Sequence, residues 1–123
     1  MSLPDLSRIP VLDEERVLEL KEQAAHDPSL FERLFNLFQE EGPILVASIE
    51  SSLESEDRNQ AHEAIHKVKG SSAAMGACRV YALASAGVDI ARGDDSLGLL
   101  KDLPAVLRVE YAAYVEAAKG HLS

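Results

Sequence analysis

Apolar residues recur along this chain at helical rather than strand spacing. Leu30, Leu34, Leu37, Phe38, Leu45 and Ile49, with Ile44 flanking, form a stripe at three- and four-residue intervals that continues to about Leu53. Such a stripe turns one side of a helix toward a core. Asp27-Pro28 marks its start, a capping residue followed by proline at the first helical position, where the missing amide has no partner to lose. Gly42-Pro43 interrupts the stripe. Proline lacks the amide that bonds back one turn, so the pattern predicts a kink, or two helices meeting end to end.

The flanking segments read the same way. Asp13 can accept from the free amides of a first turn, and Leu12 and Val17 stand at the spacing of a hydrophobic staple, which predicts a helix from Asp13 to about Ala25. Residues 1–12, with Pro4 and Pro10, form a loose lead-in. The stretch SEDRNQ restarts a helix near Glu56 that runs to about Met75, where Gly76 ends it or lets the next helix pack close. Residues 77–92 follow, with Val80, Leu83, Ala84 and Ile90 or Ala91 facing inward and Gly93 as a stop. Asp94, Asp95 and Ser96 cap a last helix from about Leu97 to Lys119, bent at Pro104. No segment alternates like a strand, and no repeat, low-complexity tract or dividing linker is present. The prediction is an all-α fold: an antiparallel four-helix bundle with an additional N-terminal helix, occupying residues 13–120.

Composition narrows the function. A length of 123 residues fits one domain, and 46% hydrophobic residues with only 5% aromatic favours packed helices over a sheet. Asp and Glu outnumber Lys and Arg 21 to 12, for a net charge of −9. A surface that acidic repels phosphate backbones, so nucleic acid is not an expected partner. Cys78 is the only cysteine, which rules out an intrachain disulfide, and its setting in ACRVYALA predicts a buried, inert thiol. MSLPDLSRIP lacks a basic region followed by an apolar core, so it does not read as a signal peptide. No apolar run approaches the roughly 20 residues that span a bilayer. The expectation is a soluble, cytoplasmic protein without membrane insertion.

Candidate chemistry concentrates in 61-AHEAIHKVKGSSAAMG-76, which holds two motifs sharing one histidine. From His62 it spells H-E-x-x-H, in which imidazoles four residues apart grip a zinc ion and the intervening glutamate acts as base. A catalytic zinc also needs a third protein ligand. The positions where one peptidase class places its glycine and third histidine are Lys69 and Ser72, and no glutamate occurs between Glu63 and Glu110. Lys69 would also oppose a dication on that side of the helix. The zinc-peptidase reading is therefore the weaker one.

The second motif starts at His66. At about 100° per residue, Ala61, Ala64, Ile65, Val68, Ser72 and Met75 gather on one side of the helix as a buried face. His62, His66, Lys69, Gly70 and Ala73 form the adjoining flank. Lys69 is three residues beyond His66 and so its neighbour on the helix surface. Gly70, one turn beyond His66, costs helix stability and leaves room for something to approach the imidazole. A neutral imidazole is a competent nucleophile near pH 7, and a nearby ammonium can offset the charge of an incoming phosphoryl group.

These residues resemble the signature of histidine-containing phosphotransfer (HPt) domains: His-x-x-Lys-Gly-Ser/Ala, a small-residue run, then a second glycine six residues after the first. The resemblance extends from about Val11 to Lys119. It implies His66 as phosphoryl acceptor, Lys69 as stabiliser of the phosphoryl group, and Gly70, His62 and Ala73 under a docked partner, with Gly76 structural. It further implies response-regulator receiver domains and a hybrid sensor histidine kinase as partners. No cofactor is expected on this chain, since Mg²⁺ would sit on the receiver. The absence of a G-x-x-x-x-G-K-[ST] loop agrees with a phosphocarrier that is not itself a kinase. A helical interaction module with a non-functional histidine remains an open alternative, and the H-E-x-x-H metallopeptidase a remoter one.

Overall fold

Side-chain caps decide where the helices begin. Asp13 accepts from the Arg16 amide at 3.1 Å, and Asp57 accepts from the Gln60 amide at 3.0 Å, each satisfying a donor that the first helical turn cannot pair internally. The computed structural model describes residues 2–23, 26–94 and 96–122. The helices are α1 (Glu14–Gln23), α2 (Leu30–Glu54), α3 (Arg58–Met75), α4 (Cys78–Arg92) and α5 (Leu103–Ala118), with 3₁₀ turns at Leu97–Leu100 and Lys119–His121. No strand occurs among the described residues.

α3 packs between α2 and α4, and α5 closes the ring against both of them. Short connections send α3 back along α2 and α4 back along α3, while α1 lies against α2 and α3 as the extra helix. The bundle interior holds Ile49, Ile65, Val68, Leu83, Ile90, Leu103, Leu107 and Tyr114, all fully buried. Each side chain of this size contributes about 1.5–3 kcal/mol by leaving water. Phe38 meets Tyr114 edge-on, with ring centroids 5.2 Å apart and planes at 76°.

The fold class follows the sequence pattern, and several boundaries depart from it. α2 is one unbroken helix through Pro43, not two helices. Gly42 explains how: the ring of Tyr111 on α5 lies 2.9 Å from where a Gly42 Cβ would be, so α5 packs directly onto this turn. Packing on both sides of the proline outweighs the single backbone bond it removes. Phe38 and Ile49 of the expected stripe are buried, as are Phe31 and Phe35, whose rings read as core or interhelix contacts; Val46 joins them, while Leu34 and Leu45 are only half-buried and Leu37 is 51% exposed.

α2 starts at Leu30 rather than Pro28, because Asp27 is engaged in a preceding turn, accepting from the Ser29 hydroxyl at 2.8 Å and pairing with Arg33 at 2.6 Å. Glu56 does not open α3; it sits in a left-handed turn at φ 53°. The single last helix is divided: Leu97–Leu100 is a 3₁₀ turn capped by the Ser96 hydroxyl, and Pro104 falls in the first turn of α5, where its missing amide is not needed. The predicted extension of the first helix to Ala25 and the cap at Asp95 fall outside the described residues.

Candidate functional site

The buried face of α3 follows the helical wheel: Ala61, Ala64, Ile65, Val68, Ser72 and Met75 are all enclosed. Ser72 is the polar member, and its hydroxyl donates to the Val68 carbonyl at 2.7 Å, so no buried donor is stranded.

The C-terminal end of α3 is held from three directions. Arg16 Nε of α1 donates to the Ala74 carbonyl at 3.0 Å. The Tyr114 hydroxyl of α5 donates to the Met75 carbonyl at 2.6 Å, and the Asp13 amide donates to the Gly76 carbonyl at 2.8 Å. Gly76 adopts φ 70°, which a side chain would strain, and a Cβ there would lie 3.2 Å from the Asp13 carbonyl oxygen. The structural role expected of Gly76 therefore combines a left-handed cap with close packing of α1. At the other end, the Arg58 guanidinium reaches the carbonyls of Ile90, Ala91 and Gly93 at 3.0–3.2 Å, binding the start of α3 to the end of α4.

On this fixed helix the adjoining flank reaches the surface. His66, Gly70 and Ala73 are exposed and Lys69 is half-buried, so the flank read from the wheel is one continuous surface. A Cβ on Gly70 would meet nothing within 4 Å. This glycine is not demanded by packing within the chain. Lys69 Nζ lies 6.0 Å from the centroid of the Tyr81 ring on α4, the distance of a cation–π contact. Lys67 and Glu63 are 3.8 Å apart and mostly exposed, a pair worth little in water.

His62 differs from its expected place on the surface. It is half-buried, its ring lies parallel to that of His66 (interplanar angle 7°, centroids 6.0 Å apart), and its Nε2 is buried with no hydrogen-bond partner. The remaining histidines stand apart: His26 is exposed beside α2, and His121 pairs with Glu14 at 2.8 Å. Among the described residues no three His, Cys, Asp or Glu side chains come together around a possible metal position. The third ligand that a peptidase zinc requires is thus missing from that set.

Two contributors to this face were not anticipated from sequence. Tyr81, 41% exposed, follows the inward-facing Val80 by one residue, and its spacing carried no sign of a role. Ile9 belongs to the lead-in, but Arg79 Nε donates to its carbonyl at 2.7 Å and pins it beside α3. Ile9, Ala73, Cys78, Tyr81 and Ala82 line a shallow depression that continues the flank past Gly70. Cys78 is half-buried rather than enclosed, and burial pushes its thiol pKa up, away from the reactive thiolate.

Comparison with known families agrees with this geometry. The model of the Hpt domain matches residues 33–118, from the first turns of α2 to the end of α5. The chain belongs to the Hpt domain family. No curated protein and no solved structure matches it. Membership assigns it a phosphotransfer role in two-component signalling, as a phosphocarrier module of the kind that interacts with receiver or kinase proteins. Among the described residues no helix is long and apolar enough to cross a membrane.

Proposed function

We propose that His66 accepts a phosphoryl group from a receiver-domain aspartate, or from a sensor kinase, and passes it to the aspartate of another receiver. The functional unit spans residues 13–120, and the setting is cytoplasmic. The observation that carries this reading is the open space at Gly70, one turn beyond an exposed His66 on a helix held at both ends. A glycine that relieves no internal contact, and lowers helix stability, makes physical sense as clearance for an approaching partner.

The step is a displacement at phosphorus. The lone pair of the outer ring nitrogen of neutral His66 forms the P–N bond, the bond from phosphorus to the aspartyl oxygen breaks, and the receiver's carboxylate leaves with that electron pair. The imidazole carries the phosphoryl group until a second carboxylate reverses the exchange. Lys69 offsets the phosphoryl charge, moving from the Tyr81 ring toward His66 as that charge arrives. Gly70, Ala73 and His62 lie under the docked partner. Mg²⁺ and the remaining catalytic groups belong to the receiver, so positioning and charge compensation are what this chain supplies.

The test is intact mass at neutral pH after mixing the protein with Mg²⁺ and receivers precharged with acetyl phosphate. One acid-labile phosphoryl adduct, absent from His66→Ala and from mixtures without receiver, is the expected result. No adduct across a broad receiver panel, with the helical fold intact, would overturn the reading in favour of a passive interaction module.

A further inference from the structure

His62 makes and breaks no bond in the phosphoryl step. His62 stands one turn before His66, its ring parallel to the acceptor's at a centroid separation of 6.0 Å, and its Nε2 is buried without a hydrogen-bond partner. A buried polar atom left unpaired is costly and asks for an explanation, of which a bound ion is one. We infer that His62 and His66 form a two-imidazole site for a borderline divalent metal ion such as zinc, and that this ion and the phosphoryl group compete for His66.

The geometry is within reach of one ion. Imidazole nitrogen binds zinc at about 2.1 Å, so two ring centroids sharing an ion stand up to roughly 6 Å apart. Side-chain torsions alone can then close the chelate, because residues four apart hold both rings on one helix face. Swinging the His62 ring about its Cα–Cβ bond, which displaces the whole imidazole, carries Nε2 out of its buried position toward the flank that His66 occupies. The electrostatic objection raised by Lys69 is weakened by where its ammonium rests, toward the Tyr81 ring on α4. The net charge of −9 concentrates cations around the molecule.

The donor set selects the ion. Imidazole suits zinc, copper(II) and nickel(II), whereas Mg²⁺ takes oxygen ligands and keeps its water. The Mg²⁺ that a receiver needs therefore does not fill this site. Two protein ligands, with water completing the shell, make a reversible site rather than a structural one. Competition follows from the lone pair: the His66 nitrogen that holds a metal has no electron pair to give to phosphorus. This consequence rests on the relay reading above; the metal site itself does not.

Two measurements test it on the full chain. The first is calorimetric titration of zinc chloride at neutral pH into wild type, His62→Gln and His66→Gln, with circular dichroism to verify the fold of each. The expected result is one ion per wild-type chain and at least ten-fold weaker binding in both variants. The second is direct labelling of His66 by phosphoramidate, which needs no receiver: the imidazole takes the phosphoryl group and ammonia leaves. Zinc at ten times its dissociation constant leaves about one site in eleven free and should slow wild-type labelling about ten-fold. At the same zinc concentration a variant that binds at least ten-fold more weakly is half occupied or less, so labelling of His62→Gln should slow by no more than about two-fold. Binding unchanged by His62→Gln would mean an adventitious ion only, and a wild-type rate indifferent to saturating zinc would overturn the competition. Failure of wild type to label without zinc would sink the relay and the competition together, while the titration would still decide the metal site.

Discussion

The hydroxyl of Tyr114 on α5 donates a 2.6 Å hydrogen bond to the carbonyl of Met75, the last residue of the helix that carries His66. Helix ends leave carbonyls that the helix cannot pair, and this one is enclosed beneath the Gly76 cap. Tyr114→Phe keeps the ring and removes the donor, so it should destabilise the fold by about 1–3 kcal/mol. Urea unfolding measures the loss, and phosphate uptake per folded molecule should be unchanged. Unaltered stability would show that the Met75 carbonyl finds another donor.

Two glycines on neighbouring helices should respond to alanine in opposite ways. Gly70→Ala places a methyl in open space and should raise stability by up to about 1 kcal/mol. The same methyl stands where a receiver would dock, so uptake from a precharged receiver should slow by roughly ten-fold, equivalent to about 1.4 kcal/mol of barrier. Gly42→Ala drives a methyl to 2.9 Å from the Tyr111 ring and should cost roughly 1–3 kcal/mol while leaving the uptake rate alone. A Gly70→Ala protein that is both more stable and as fast as wild type would remove Gly70 from the docking face.

Alkaline pH should unfold the bundle through its buried phenols. Burial is the main cause that pushes Tyr111 from its ordinary 10.0 up to about 12, and it moves Tyr114 in the same direction. Above pH 10 the unfolded chain releases phenolic protons that the folded chain retains. The unfolded state then binds fewer protons, and stability falls as pH rises from about 10 toward 12. Urea midpoints taken on either side of pH 10 should show this decline, and Tyr111→Phe should make it shallower. A flat profile through that window would contradict the assignment.

Arg58 bridges the first turn of α3 to the last carbonyls of α4. A cation at a helix C-terminus is favourable both as donor and as charge. Arg58→Ala should cost roughly 1–2 kcal/mol, with amide exchange rising first near Gly93. Arg58→Lys should recover part of the loss, since an ammonium keeps the charge without the guanidinium's reach. Uniform acceleration across α4 instead of at its end would place the effect elsewhere.

How far the sequence could be read depended on whether the signal was local. The wheel of α3 and the caps at Asp13 and Asp57 depend on residues within a turn of one another, and the first two were recognised. Gly42-Pro43 is a local break, and the continuity of α2 is decided by Tyr111 from a helix far along the chain. That Leu37 stays exposed while Phe38 and Ile49 of the same stripe are buried likewise depends on the neighbouring helices. Around the candidate site, His66, Lys69 and Gly70 share one helix and were legible from spacing. Tyr81 and Ile9 reach the same surface only through packing between helices and the Arg79 bond to the lead-in.

The three-sided hold on the end of α3 bears on how quickly partners can exchange. Arg16, Tyr114 and Asp13 fix the helix before anything docks, so its side of an encounter has little backbone freedom left to lose. A surface rigid in advance and shared by successive partners need not be remodelled between them. Each visit then depends on complementary shape brought by the visitor, and departure does not wait on refolding. For a protein proposed to receive from one receiver and deliver to another, that is a structural basis for turnover without tight binding.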